Sequence, residues 1–301
     1  MTEAVDRLDG RLVEELQRDG RAPMEDIAAA IGLSRQATRT RFERLVARGA
    51  LRVVGVVHPS AQGLHAFAHL SVFVRGSALR AARAIARLPT VPLVSIVAGR
   101  ASLIAEVRAP DMAALHALIR TIGSVDGVAH VEAATYTERI KDRSSPALAV
   151  ATPRLDAVDR ALLDILQADG RAPYAQLGRR INYSASAARG RVQALVGSGA
   201  VRVTAIATPG LVGLSQMCGL GLRLTRADAA IAKLLELPAV SYLSLAVGRW
   251  DAVATLLVAS PAEVVAETDR IRALRGVDSL ESWTHLQVVK EDYRLQLAGP
   301  G

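Results

Sequence analysis

The sequence predicts an α+β protein built from two tandem units, each a winged-type helix-turn-helix domain followed by a ferredoxin-like βαββαβ domain. Two observations lead to this prediction. The chain repeats itself at a spacing of about 150 residues, which indicates a duplication. Within each copy, short helical patterns come first and a β-α-β-β-α-β order of apolar patterns follows.

The repeat is visible in matching segments. The segment Leu16–Pro23, LQRDGRAP, recurs 150 residues later as Leu166–Pro173, LQADGRAP. The segment around Gly99 recurs around Gly248, 149 residues later, so one residue has been lost in between. Each copy is far longer than a solenoid repeat, so a whole unit of several domains has been duplicated.

A stretch rich in Ser, Pro and Ala, DRSSPALAVATP, separates the copies and is typical of a linker. The expected domains are a first helix-turn-helix (residues 1–60), a first ferredoxin-like domain (61–143), the linker (144–153), a second, divergent helix-turn-helix (154–209) and a second ferredoxin-like domain (210–295).

The first helix-turn-helix is predicted from helical spacing and from the residues that interrupt it. Val5–Gln17 is amphipathic, and Asp19–Pro23 breaks it. A short helix is predicted over Met24–Ala30. After the tight turn Ile31–Leu33 a third helix begins, and Ser34 can cap it through its hydroxyl.

The third helix is basic on the side that points away from the core. Thr38, Phe42 and Leu45 form one stripe facing inward, and Gly49 stands where a left-handed residue is expected after the helix. Such a helix lies in the DNA major groove with its N-terminal side chains at the base edges. The residues expected to contact DNA in this copy are Ser34, Arg35, Gln36, Arg39, Thr40 and Arg44. The alternative is an ordinary surface helix whose arginines are only solvated.

Period-2 and period-3.6 patterns predict the remaining elements. In the first copy, strands are predicted over Leu51–Val57, Ala66–Val74, Val91–Ala98, Leu103–Val107 and Val128–Thr137, and helices over Ala78–Leu88 and Met112–Ile122. In the second copy, strands are predicted near Met217–Leu224, Val240–Ala246, Ala252–Val258 and Leu280–Val288, and helices near Asp228–Leu237 and Ala262–Leu274.

Composition excludes several classes of protein and site. Cys218 is the single cysteine, which excludes an internal disulfide framework and a Cys-rich zinc site. His65 and His69 stand four apart without a neighbouring carboxylate or cysteine, so no metal site is predicted. No phosphate-binding or dinucleotide motif is present, so no cofactor is predicted.

The sequence also bears on where the protein is located. No apolar run reaches the ~18 residues of a membrane span, and the acidic N-terminus does not resemble a secretory signal. We therefore expect a cytoplasmic protein.

The combination of a helix-turn-helix and a ferredoxin-like domain resembles the Lrp/AsnC family of transcription regulators. The residues that carry the resemblance occur in both copies. They are Asp6 and Asp9 with Asp156 and Asp159, Asp19-Gly20-Arg21 with Asp169-Gly170-Arg171, Arg41, Leu45 and Gly49 with Arg191, Leu195 and Gly199, Gly99 with Gly248, and Thr135 and Lys141 with Thr284 and Lys290.

The resemblance implies a regulator that binds double-stranded DNA and whose ferredoxin-like (RAM-type) domains associate and bind an amino acid or a similar small effector. A chain with two such units looks like a covalent pseudo-dimer, and we expect homodimers or homotetramers of it. The implied effector site lies near the turn between the second and third strands of each ferredoxin-like domain, and its expected residues are Gly99, Arg100, Ser102, Thr135, Gly248, Arg249, Asp251 and Thr284.

The two turns differ in one important residue. Asp251 stands where the first copy has Ser102, and a carboxylate can bind an ammonium group through a charge that a hydroxyl lacks. Asp251 is therefore the expected partner of an amino acid's ammonium group, and Arg249 that of its carboxylate. The alternative is that both are turn residues making a local pair.

The DNA-facing helices also differ. Arg35, Gln36 and Thr40 correspond to Ala185, Ser186 and Gly190, and only Arg39 persists, as Arg189. Bidentate Arg and Gln contacts to bases are worth about 1–3 kcal/mol of discrimination each, and Ala and Gly offer none. We hypothesise that the first copy reads sequence while the second binds weakly or unspecifically. The candidate DNA contacts in the second copy are Ser184, Ser186 and Arg189.

Two other functions remain open at this point. Siroheme decarboxylases pair two Lrp-like units in the same way, and such an enzyme would gather His and Arg around the tetrapyrrole carboxylates. The basic helix at Arg35–Arg48 argues against it. The third possibility is a ligand sensor without DNA binding, with which only the second, less basic helix agrees. The expectation is therefore a regulator and not an enzyme.

Overall fold

The computed structural model describes residues 7–142, 155–207 and 216–292. These residues form two compact units, and both copies contribute to each. The paired helix-turn-helix unit contains the described residues up to 62 and those between 155 and 207. The closed-sheet unit contains residues 63–142 and 216–292. The predicted linker, 144–153, lies outside the described residues.

The α-helices and β-strands follow the same order in the two copies. In the first copy they are α1 (Arg7–Arg18), α2 (Met24–Ile31), α3 (Arg35–Ala47), β1 (Leu51–Val57), a 3₁₀ turn (Pro59–Gln62), β2 (Ala66–Val74), α4 (Ala78–Ala86), β3 (Leu93–Ala98), β4 (Leu103–Ala109), α5 (Met112–Gly123) and β5 (Val128–Asp142). In the second they are α6 (Ala157–Ala168), α7 (Tyr174–Ile181), α8 (Ala185–Gly197), β6 (Val201–Ala207), β7 (Gln216–Leu224), α9 (Ala227–Glu236), β8 (Val240–Gly248), β9 (Ala252–Val258), α10 (Pro261–Arg272) and β10 (Val277–Glu291).

The turns of both helix-turn-helix segments are built by the same devices. Gly32 (φ 75°) and Asn182 (φ 58°) adopt the left-handed conformation at the ends of α2 and α7, which glycine and asparagine tolerate best. The hydroxyls of Ser34 and Ser184 then accept backbone N–H groups at the starts of α3 and α8, as predicted for Ser34. Gly49 has φ 66°, also as predicted.

The strands that follow the two helix-turn-helix segments pair with each other. β1 and β6 run antiparallel, with Val54 opposite Thr204. Val203 and Ala205 of β6 pack into the helical core of the first copy, and Val57 of β1 packs into that of the second. Each helix-turn-helix therefore completes its core with a strand from the other copy.

The Asp-Gly-Arg segments before α2 and α7 lie directly against these strands. The Gly20 amide donates to the Val203 carbonyl oxygen (3.0 Å), and the Gly170 amide donates to that of Val53 (2.9 Å). A Cβ atom on Gly20 would lie 2.8 Å from the Val203 carbonyl carbon, and one on Gly170 would lie 2.9 Å from that of Val54. Glycine is needed at both positions because a side chain would collide with the other copy's strand.

The arginines of the same segments cross between the copies. Arg21 donates to the two backbone carbonyl oxygens that flank Arg171, at 2.5 and 3.0 Å, and Arg171 donates to the two that flank Arg21, at 2.7 and 2.9 Å. The Tyr174 ring covers the Arg21 guanidinium, 4.4 Å from its centroid. Burial, together with the charge of Arg21, lowers the pKa of Arg171.

The ferredoxin-like segments form one closed eight-stranded sheet in the order β10-β3-β4-β2-β5-β8-β9-β7. Each copy supplies four neighbouring strands, and the copies join at β5–β8 and at β10–β3. On the outer face, Ile85 of α4 and Leu115 of α5 pack on the first copy's strands, and Leu234 of α9 and Ile271 of α10 pack on the second copy's. Because side chains alternate along a strand, the opposite set of residues lines the interior. The predicted tandem α+β fold is confirmed.

The predicted strands Leu51–Val57, Ala66–Val74 and Ala252–Val258 coincide with β1, β2 and β9. The last strand of each ferredoxin-like segment is longer than predicted: β5 continues to Asp142 and β10 to Glu291. The extra residues pair with the other copy, as Lys141 does with Leu243. Such pairing leaves no period-2 apolar signal in the local sequence.

Several smaller differences arise at element ends. α4 ends at Ala86, two residues before the predicted Leu88, because Arg87 and Leu88 donate to carbonyls three residues back. β3 begins at Leu93 and not at Val91. None of the described helices is long and apolar enough to cross a membrane.

The close approach of Gly20 to β6 generates the first prediction. Gly20→Ala should lower the free energy of unfolding by about 1–3 kcal/mol, because the added methyl group overlaps the Val203 backbone. Gly170→Ala should do the same in the second copy. Chemical denaturation monitored by circular dichroism measures the effect.

Gly190→Ala is the matched control, because Gly190 lies inside α8 and a Cβ placed there meets nothing within 4 Å beyond the helix's own neighbouring backbone. That substitution should raise stability by roughly 0.5–1 kcal/mol through helix propensity. Equal effects at Gly20 and Gly190 would contradict the proposed collision.

Candidate DNA-binding surface and effector cleft

One side of α3 is exposed and polar. Its exposed side chains include five of the predicted DNA contacts: Ser34, Arg35, Gln36, Arg39 and Thr40. The other side holds the helix in place. Thr38 is buried and donates to the Ser34 carbonyl oxygen (3.0 Å), and Leu45 is part of the apolar core. The backbone of α3 is therefore fixed while its basic side chains face solvent.

Arg39 has a partner on its own helix. Its Nε donates to a Glu43 carboxylate oxygen at 2.8 Å, and both side chains are exposed. The Glu43 carboxylate raises the pKa of Arg39. Exposed pairs of this kind contribute little to stability, so Arg39 can exchange Glu43 for a phosphate or a base.

Arg44, the sixth predicted contact, has a structural role. Its guanidinium pairs with the buried Asp9 carboxylate at 2.7 Å, and Arg41 pairs with the same group at 2.9 Å. In the second copy, Arg191 pairs with Asp156 (2.6 Å) and Asp159 (2.7 Å). These ion pairs attach α3 and α8 to the first helix of their respective copies. A DNA contact by Arg44 stays a prediction.

The exposed side of α8 carries fewer charged and hydrogen-bonding side chains than that of α3. Ser184, Ser186 and Arg189 are exposed there. Ala185 and Gly190, also exposed, stand at the positions of Arg35 and Thr40. The contrast that the sequence predicts between the two helices is thus present at the surface.

Ser102 and Asp251 have the same structural role in the two turns. The Val74 amide donates to the Ser102 hydroxyl oxygen (3.2 Å), and the corresponding Leu224 amide donates to a carboxylate oxygen of Asp251 (2.8 Å). Asp251 also pairs with Arg223 at 3.1 Å. The local pair that the sequence left open thus joins Asp251 to Arg223 and not to Arg249.

Arg249 belongs to a group of four charged residues, which we call the Arg–Glu cluster: Arg100, Glu132, Arg249 and Glu281. Arg249 pairs with Glu281 at 2.6 Å, and Arg100 forms hydrogen bonds with Glu132 and contacts Glu281 at 3.3 Å. Each copy supplies one Arg and one Glu at corresponding positions. The hydrogen bonding between Arg100 and Glu132 lowers the pKa of Glu132 and raises the pKa of Arg100.

An open cleft of ≈ 820 Å³ adjoins this cluster on the side of the second copy. Its lining residues are Glu132, Ala133, Gly221, Arg223, Gly248, Arg249, Trp250, Ser279, Leu280 and Glu281. Gly248 and Arg249 are therefore the two predicted effector residues that line it. Thr135 and Thr284 lie in the strand pairing where the copies join, opposite Val247 and Ala98.

The interior of the closed sheet contains an aromatic group whose members no local sequence pattern brings together. His69 is buried, with its ring centroid 5.5 Å from that of Trp250 and 5.0 Å from that of Trp283. Gly219 and Gly221 lie against the two indoles, where a Cβ would come within 2.0 and 2.3 Å of a ring atom.

Comparison of the two copies could have revealed this group. Trp250 and Trp283 replace Ala101 and Ala134, while glycines replace His69 and Ser71 on the facing strand. The second copy therefore has larger side chains in one place and glycines beside them, as close packing of an interior requires.

Two histidines of this interior are held in the neutral form. Burial and the nearby His285 lower the pKa of His69 to about 3, and burial lowers that of His285 to about 4. Among the described residues, His69 Nε2, His285 Nδ1 and Trp283 Nε1 are buried without a hydrogen-bond partner. No group of three or more potential metal ligands occurs in the described part of the chain.

Comparison with known families agrees with these observations. A model of the AsnC-type helix-turn-helix domain matches residues 5–46 and again residues 155–196. A model of the Lrp/AsnC ligand binding domain matches residues 66–146. The HTH-type transcriptional regulator LrpA of Mycobacterium tuberculosis is 32% identical over 131 residues, which cover 42% of this chain and 87% of that protein.

The chain belongs to the Lrp/AsnC family of transcription regulators. Another similar protein, the HTH-type transcriptional regulator FL11 of Pyrococcus furiosus, is 26% identical over 126 residues, or 41% of this chain and 83% of that one. Each of these relatives matches less than half of the chain, in agreement with a duplicated Lrp/AsnC unit.

Among solved structures, the siroheme decarboxylase NirDL has the same fold as this Lrp/AsnC chain over almost its whole length. The TM-score is 0.69 at 14% identity, and the match covers 97% of this chain and 95% of that one.

The lowered pKa values in the interior of this Lrp/AsnC protein predict a loss of stability in acid. Each histidine has a folded-state pKa below its unfolded value near 6.5, so its contribution is fully present above pH 6.5 and is lost as the pH falls toward 4. At pH 5 the loss should be about 2 kcal/mol for each histidine. Denaturant unfolding of wild type and His69→Leu at pH 7.5 and pH 5 measures it.

His69→Leu should lose less stability than wild type between these two pH values. His116→Gln, which changes an exposed histidine of α5, is the control and should behave as wild type. An identical pH dependence in His69→Leu and wild type would contradict the assignment.

Proposed function

We propose that this Lrp/AsnC protein is a regulator that binds specific DNA sequences chiefly through α3, with α8 as an auxiliary contact. The observation that carries the proposal is the exposed set Arg35, Gln36, Arg39 and Thr40 on a helix whose opposite face is fixed in a core. Arg and Gln are the side chains that make bidentate contacts to guanine and adenine in the major groove.

The unequal surfaces of α3 and α8 support unequal roles. Two bidentate contacts by Arg35 and Gln36 supply about 2–6 kcal/mol of discrimination. Ala185 and Ser186 at the same positions cannot form them. Arg189 retains a charge suited to the DNA backbone, where contacts position a protein without reading sequence.

The connection between the two helix-turn-helix segments bears on the DNA site. The β1–β6 pairing and the crossed arginines Arg21 and Arg171 hold both segments in one compact unit. The two reading helices of one chain therefore act at a fixed spacing. Because they differ in sequence, we propose that the operator half-sites differ too and need not form a palindrome.

The second part of the proposal concerns the effector. We infer that a small amino acid-like molecule binds beside the turns that follow β3 and β8. Support comes from the cleft at Gly248 and Arg249, with four charged side chains in its lining. Asp251, the expected partner of the ammonium group, already accepts the Leu224 amide and pairs with Arg223, so Glu132 and Glu281 are better placed for that role.

A siroheme decarboxylase-like enzyme is the second candidate, and the shared fold of NirDL is the observation that favours it. That likeness, at 14% identity, is one of fold alone. The exposed basic helix α3 favours the regulator, as do relatives named transcriptional regulators. We therefore propose a cytoplasmic regulator without enzymatic activity that self-associates through its ferredoxin-like domains. A Soret-band shift on adding iron-uroporphyrin III would favour the enzyme instead.

The proposal predicts which substitutions abolish sequence recognition. Selection of bound fragments from genomic DNA by the full chain should enrich one defined motif. Arg35→Ala/Gln36→Ala should lose that enrichment, because the bidentate contacts are gone, with affinity for the motif falling about 30-fold or more. Gel-shift titrations on the enriched motif and on unrelated DNA measure both affinities.

Ser186→Ala/Arg189→Ala is the matched control in the second copy. It should weaken binding to both DNAs by similar factors and lower the salt dependence, because a backbone contact is lost. If this control lost the enrichment of the motif while Arg35→Ala/Gln36→Ala retained it, the assignment of the two helices would be reversed. Binding that is motif-free throughout would reject sequence recognition.

A further inference from the structure

The turn regions of the two copies differ in what fills the space beside the Arg–Glu cluster. In the first copy, Phe73 of β2 lies directly opposite His130 of β5, and their rings stack with centroids 4.0 Å apart. The Arg100 guanidinium covers the Phe73 ring at 4.7 Å. Two aromatic side chains of the protein thus occupy this position under an arginine.

The second copy lacks both rings at the equivalent position. Arg223 of β7 stands in place of Phe73, and the residue in place of His130 is Ser279 of β10. The Arg223 guanidinium is drawn toward the turn, where it contacts Asp251 at 3.1 Å and the Arg249 carbonyl oxygen at 3.3 Å. Arg223 and Ser279 both line the ≈ 820 Å³ cleft, so the cleft lies at the position that the two rings fill in the first copy.

The charges that line the cleft are balanced. Arg223 and Arg249 are opposed by Glu132 and Glu281. A ligand with a single charge would leave one member of the cluster without its partner, whereas a ligand with one carboxylate and one ammonium group can satisfy both kinds of partner. The Trp250 indole, with Arg249 5.7 Å from its ring centroid, supplies an apolar wall.

We propose that each chain binds one zwitterionic amino acid with a flat side chain, in the cleft of the second copy only. Its ring takes the place that Phe73 and His130 fill in the first copy. Its carboxylate binds Arg223 and Arg249, and its ammonium group binds Glu132 or Glu281. The proposal rests on the effector site proposed above, and it adds the class of ligand and a stoichiometry of one per chain.

Calorimetric titration of the full chain with L-phenylalanine, L-tyrosine and L-histidine tests the ligand class. At least one should bind with a stoichiometry of one per chain. L-leucine, which lacks a flat ring, should bind at least about tenfold more weakly, as should 3-phenylpropionate and phenethylamine, which lack one charge each. Failure of all three amino acids to bind, or equal binding of leucine, overturns the proposal.

Exchange of the side chains between the copies tests the position. Arg223→Phe/Ser279→His copies the aromatic pair into the second cleft and should abolish binding. Thermal unfolding confirms that this variant folds. Two ligands per wild-type chain, or unchanged binding in Arg223→Phe/Ser279→His, overturns the proposal.

DNA affinity, measured with and without the ligand, separates this inference from the proposed function. A single bound amino acid that leaves DNA affinity unchanged supports the site and rejects its role as effector. Motif-specific DNA binding without amino acid binding rejects the site and leaves the regulator intact.

Discussion

The close backbone approach of Gly20 to β6, with its counterpart at Gly170 and β1, is the constraint on which the paired helix-turn-helix unit depends. It allows β1 and β6 to pair, and each strand then completes the helical core of the other copy. The crossed arginines satisfy backbone carbonyls that the approach buries, which would otherwise be costly. The same Asp-Gly-Arg segment thus explains why two small three-helix segments, each with little core of its own, form one stable body.

The closed sheet is symmetric in backbone and asymmetric in side chains. Ser102 and Asp251 accept the same strand amide in their respective copies, and Arg100 and Arg249 occupy equivalent places in the Arg–Glu cluster. The copies diverge where backbone geometry leaves the side chain free. In the shared interior, the second copy has two indoles beside glycines, and only the first copy has a stacked pair of rings near its turn. The helices α3 and α8 diverge in the same way, with the same serine cap and different exposed faces.

Local patterns in the sequence predicted whatever depends on local structure: the capping serine of α3, the left-handed Gly49, the order of strands and helices, and the basic surface. They missed what depends on pairing between distant segments. The ends of β5 and β10 carry polar residues, and only the other copy's strand makes them extended. The pairing of Arg44 with Asp9 on another helix is likewise invisible in the local pattern of α3. The closeness of His69 and His285 also depends on the closed sheet, which brings their strands to one interior.

The pairing of β1 and β6 within a single chain has a consequence for how such a protein can change. In a dimer of identical chains every substitution appears twice, so a change that weakens one helix weakens both. Here the partner strand is covalently attached, and its effective concentration does not fall on dilution. Gly190 lowers the stability of α8 by about 1 kcal/mol through its poor helix propensity, and the chain carries this destabilisation in one copy only. Each half can therefore specialise while the other preserves the shared architecture.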